Sequence, residues 1–204
     1  MRSQLDSKSD GYQTFHAHQK EVTMSSVTFS RQMLDQAVAF LDMVMADVSD
    51  DQAHWQPPGA ALPIAAHYAH IAIGADGFVN GMLAGGMPLF ATEWAGKTGA
   101  SELPPSAQPG ASPLPQPWDQ WGRKVRVDLP AFQRYLKAVH EACDRFLSTL
   151  ADVDLERPID LSAQGLGNQT LGWVLGAGVS GHVWAHLGEI SCVKGLQDSR
   201  GYPV

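Results

Sequence analysis

The chain has 204 residues, 44% hydrophobic and 17% charged, which suits one domain built on a single core. Its 14 basic against 21 acidic residues leave a formal charge of -7, which argues against binding nucleic acid through phosphates. No apolar run approaches the roughly 18 residues of a spanning helix, and two cysteines, Cys143 and Cys192, make no disulfide framework. The expected setting is the cytoplasm, with neither membrane nor nucleic acid as partner.

Residues 1–23 are polar, lack an apolar period and contain no signal-peptide core, so they read as a mobile leader. Met24 competes with Met1 as the true start. His16 and His18 fall in this leader, where no preformed site would hold a metal. Residues 24–204 are expected to form one domain.

A first helix is predicted from about Thr28 to Val48, because Met33, Ala37, Leu41, Val44 and Val48 recur at steps of three and four. Ser49, Asp50 and Asp51 break the pattern, and Pro57-Pro58-Gly59 marks a loop. A second helix opens at Pro63, carries Ile64, Tyr68, Ile71, Ala75, Phe78 and Met82 on one stripe, and ends at Gly85-Gly86. Residues 85–127 differ in kind. Prolines crowd the run from Pro104 to Pro117, with Trp94, Trp118 and Trp121 interleaved, so the segment reads as a partly ordered excursion, either a lid or mere covering. A third helix follows from Asp128 as N-cap, with Leu129, Phe132, Leu136, Val139, Cys143, Phe146 and Leu150 as its seam. A fourth spans about Leu171 to Lys194, with Thr170 and Gly195 as caps. No strand is convincing. The predicted class is all-α, a four-helix bundle with a long excursion between its second and third helices.

Chemistry concentrates on the last helix. His182 and His186 stand four apart, so both imidazoles can reach one point, and Glu189 follows on the same face. Leu175, Val179 and Val193 share that face and turn it toward the core. Two neutral histidines there are either hydrogen-bonded core residues or ligands of a shared divalent metal. A third ligand could come from the second helix, where His67 and His70 share a face with Gly74, Gly77 and Gly81. Those small residues, with Gly176, Gly178 and Gly181 on the last helix, are expected to let the two backbones approach closely. Three histidines and an open fourth position would make a catalytic rather than a closed structural site.

The pattern resembles the DinB/YfiT-like superfamily. The resemblance runs through HWQPPG and LPIAAHYAHI in the second helix to TLGWVLGAGVSGHVWAHLGEI in the fourth, covering roughly residues 27–195 and matching 85–127 poorly. It implies a metal-binding bundle in which one second-helix histidine joins the H-x-x-x-H pair. The family's ligand falls seven residues after the helix-opening position, so the resemblance assigns the metal to His70, His182 and His186, not His67. A glutamate often follows five residues later in the family; here Ala75 and then Asp76 stand there instead. Relatives that use low-molecular-weight thiols imply a metal-dependent transferase, isomerase or hydrolase, with zinc or nickel activating water or a thiol against a small-molecule substrate. A homodimer is also expected. The alternative is a non-catalytic helical module whose site is structural or decayed.

Other signals carry less. Glu189 could orient a ligand or act as acid or base, or could pair across helices. His140 reads as a satisfied histidine on the flank of the third helix, and Cys143 as a small core residue. Cys192 lies off the histidine face. The run from Ala91 to Thr98 satisfies the Walker A pattern, but no buried strand precedes it and prolines follow.

Overall fold

The first apolar stripe folds as α1, Ser26–Met45, which buries Leu34, Ala37, Val38, Leu41 and Val44. In the computed structural model the described residues are 23–107 and 118–202. The expected leader up to residue 22, with His16 and His18, and the proline run from 108 to 117 lie outside them. Helix α1 begins two residues earlier than its stripe suggested because Ser25 caps it, accepting from Thr28 N. Asp152, far along the chain, also accepts from Ser26 N at 3.1 Å and Val27 N at 3.0 Å. The carboxylate thus satisfies two end amides at the positive end of the helix dipole.

Where a plain loop was expected, α2 forms at Asp50–His54. Ser49 and Gln52 make a reciprocal capping box there, a signal already legible in the spacing. Helix α3, Ile64–Ala75, buries every residue from Ile64 to Ile73 except His70, so it runs through the core rather than along its edge. It continues directly into a π-helical stretch, Asp76–Leu83. After the excursion and its short α4, Asp119–Gly122, the third seam forms α5, Leu129–Leu147, capped as expected by Asp128. The last helix starts as α6, Leu171–Trp173, passes through a second π-helical stretch, Val174–Ser180, and ends as α7, Gly181–Gly195. Helix α3 packs against α5 and α7, and α1 against the same two. The chain is mostly helical, and among the described residues no helix is long and apolar enough to cross a membrane.

Two expectations need correction. A small antiparallel hairpin exists where no strand was foreseen: β1, Pro158–Leu161, pairs with β2, Gly167–Thr170. Only Leu161 of the eight residues is buried, so no alternating apolar pattern announced it. The glycine stripe also works differently. A Cβ on Gly77 would meet the Phe90 ring and one on Gly81 would meet Pro88, so these glycines receive the start of the excursion rather than the last helix. Only Gly74 faces that helix, with His182 Cε1 3.6 Å from where a Cβ would stand.

The excursion is tied down at both ends. Asp76, fully buried, accepts from Leu89 N, Phe90 N, Asn80 Nδ2 and Tyr135 Oη at 2.7–2.8 Å. At the far end Val127 N donates to His54 Nε2 at 2.9 Å, while His54 Nδ1 bonds Asp50 O at 2.8 Å. Phe90, Trp121, Val125 and Val127 are core residues. The Walker-like run forms turns after a short 3-10 segment, with no preceding strand.

Candidate metal centre

His70 lies in the middle of α3, between one and two turns before the helix turns π; His182 and His186 lie on the first two turns of α7, just after the other π stretch ends. Such stretches often flank functional sites, since they rephase the side chains that follow. Here they leave the four-residue spacing of the pair intact. His70 Nε2 and His182 Nε2 are 2.9 Å apart, and His182 Nε2 and His186 Nε2 are 3.0 Å apart. All three side chains offer a ligand atom within 4.8 Å of the others. Tetrahedral zinc with nitrogens at about 2.1 Å separates ligand atoms by roughly 3.4 Å, so these two pairs need only spread by about half an ångström to match a ligand set.

The donor chemistry fits a cation. Burial, then the neighbouring His182, His186 and His67, push the pKa of His70 down to about 3. Burial and His186 push His182 down to about 4, with Glu189 opposing. Both rings are neutral near pH 7 and hold a lone pair for coordination. His186 Nδ1 lies 2.5 Å from Glu189 Oε2, a carboxylate oxygen that can only accept, so the ring proton is on Nδ1 and Nε2 is left as a ligand atom. Glu189 therefore orients the His186 ring, in the position a carboxylate takes behind a metal-binding histidine.

His67 faces this same carboxylate, not the three converging nitrogens. Its Nδ1 is 3.0 Å from Glu189 Oε2 and 3.3 Å from His186 Nδ1. Burial lowers its pKa while Glu189 raises it. His67 Nδ1, His186 Nδ1 and Glu189 Oε2 form a second group close enough to share an ion, one turn from the first. His140 is remote from both and bonds Asp35 Oδ1 at 2.8 Å. Cys143 is buried, which drives its thiol up to about 12 and leaves it inert. Asp76 reaches no histidine: its hydrogen bonds hold the excursion and Tyr135.

A family model described as the DinB superfamily matches residues 33–190. The chain belongs to the DinB superfamily. Among solved structures it is similar to the crystal structure of the conserved protein of locus from Enterococcus faecalis, with 19% identity and a TM-score of 0.69. The likeness covers 85% of this chain and 98% of that one, and it shows a shared fold. No curated protein matches the sequence.

The excursion of this DinB-superfamily chain contributes Trp118, which sequence reasoning left unassigned. Its ring stacks on His70, with centroids 4.1 Å apart and planes at 17°, and meets His67 and His186 edge-on at 6.0 and 5.8 Å. No local signal marks it, because its partners are some fifty residues away along the chain or farther. A cavity of about 370 Å³ opens beside it, lined in part by His67, Trp118, Glu189 and the exposed Cys192. Trp184, between the two ligand-spaced histidines, turns away and packs on Phe40 at 5.3 Å.

Proposed function

We propose that this protein is a divalent-metal-dependent enzyme, its ion held by His70, His182 and His186, acting on a small molecule with water or a low-molecular-weight thiol. The observation that carries the reading is the convergence of three Nε2 atoms on one point in a chain of the DinB superfamily. Zinc or nickel suits an all-imidazole set. A bound divalent ion would supply Lewis acidity, drawing the pKa of water or a thiol toward neutrality. The protein's own residues do the rest. Burial keeps His70 and His182 unprotonated, Glu189 fixes the His186 tautomer, and Trp118 covers His70 against solvent.

Among the described residues, no fourth histidine, cysteine or acidic side chain joins the His70–His182–His186 group. That favours a catalytic centre with an open position over the alternative, a non-catalytic helical module with a closed site. In the same reading the four long helical segments form one four-helix bundle spanning residues 24–204. The part of the 85–127 excursion around Trp118 is its lid, and the protein works in the cytoplasm as a homodimer without nucleic acid.

Elemental analysis of purified variants tests the assignment. His70→Ala, His182→Ala and His186→Ala should each sharply lower metal occupancy, whereas His140→Ala and His67→Ala should keep it. If His67→Ala strips the ion and His70→Ala does not, the metal belongs to the group on the other side of His186. Should the wild-type protein take up none of zinc, nickel or manganese, the enzyme reading fails and the non-catalytic module replaces it. A screen of thiol co-substrates then addresses the reaction.

A further inference from the structure

The cavity beside the histidine cluster has a chemical character of its own. Its volume of about 370 Å³ is that of a small-molecule site. Leu62, Val193, Leu196 and the Trp118 ring make its apolar walls. Among the described residues its charged groups are Asp119 and Glu189, and no Lys or Arg lines it. None of the three converging histidines lines the cavity, but His67, Trp118 and Glu189 belong to both places.

We infer that this cavity takes a small molecule with an apolar, preferably aromatic body and a protonated amine, and discriminates against carboxylate-bearing molecules of the same shape. An ammonium there gains from Asp119 and Glu189 and from the face of Trp118. In the metal-free protein a carboxylate would be desolvated beside two like charges with no Lys or Arg on the described wall to pair with. The cavity assignment stands on the lining alone; only the claim that its occupant is a substrate rests on the metal-enzyme reading.

The test uses the full-length protein, metal-free and zinc-loaded, titrated calorimetrically at neutral pH with 2-phenylethylamine, 2-phenylethanol and 3-phenylpropionate. In the metal-free protein the amine should bind about tenfold or more tighter than the propionate, with the alcohol between them, and Asp119→Asn should narrow the gap; zinc, as a neighbouring positive charge, should also narrow it. Binding in the cavity should also slow alkylation of Cys192, which is exposed on its wall, while buried Cys143 stays unreactive. In the metal-free protein, propionate binding equal to or tighter than amine binding overturns the inference, as does no binding, or amine binding that leaves the Cys192 rate unchanged. The two readings separate cleanly. Amine preference in a protein that takes up no metal supports the cavity assignment and removes the enzyme reading, and zinc uptake without amine binding does the reverse.

Discussion

Each ring nitrogen at the histidine cluster has a distinct task. His186 uses Nδ1 to donate to Glu189 and keeps Nε2 toward His182. Glu189 is half exposed, yet its contact with Nδ1 decides that Nε2 of His186 is the nitrogen free to bind an ion. Glu189→Gln should therefore weaken metal affinity about 10- to 100-fold without abolishing it, measured by competition with a chelator. The depressed pKa values set a pH dependence as well. His70 and His182 take up protons near pH 6.5 when unfolded but only near 3 and 4 when folded. Between those limits the unfolded chain binds more protons, so stability is full above about pH 6.5 and falls progressively as pH drops toward 3. Urea midpoints of the metal-free protein should follow that slope, and His70→Ala should flatten it.

At the scale of elements, one buried carboxylate joins three of them. Asp76 ties the π-helical end of α3 to the start of the excursion and to Tyr135 of α5. The buried charge also drives the Tyr135 hydroxyl far above its ordinary pKa, after burial itself. Asp76→Ala strands four donors and should cost about 3 kcal/mol or more, whereas Tyr135→Phe removes one bond and should cost about 1–2 kcal/mol, both read by equilibrium denaturation. A second long-range tie runs from Lys194, whose buried ammonium donates to Val44 O at 2.6 Å and to Asp47 Oδ1 at 2.5 Å, joining the ends of α7 and α1. These polar links join elements that are far apart in sequence.

Taken whole, the molecule lays Trp118 across the middle of α3, over His70. If Trp118 covers the centre without holding it, Trp118→Ala should keep metal content while speeding its removal by a chelator. Its effect on stability should stay well below that of Asp76→Ala. Shortening the run between Pro104 and Pro117 should act in the same direction, on access and turnover more than on folding. Deleting residues 1–23 should leave the melting temperature and metal content nearly unchanged, because no apolar stripe there can join the core. A drop of many degrees would show that the leader packs.

Sequence alone determined what depends on short-range periodicity. The 3–4 stepping of α1, α3 and α5, the caps at Asp128 and Thr170, and the four-residue spacing of His182 and His186 are consequences of helical geometry within one or two turns. The choice of His70 over His67 came from resemblance to a family, since both sit on one face and local spacing cannot separate them. Tertiary structure alone decided the rest. It turned His67 to Glu189, stacked Trp118 on His70, and gave Gly77 and Gly81 to Phe90 and Pro88. It also made α7, with its weak local pattern, one wall of a cavity that it shares with α4 and the chain leading into α3. The physical reason is that these contacts join residues far apart in sequence. Their energies depend on how whole helices dock, and no local window of residues encodes that docking.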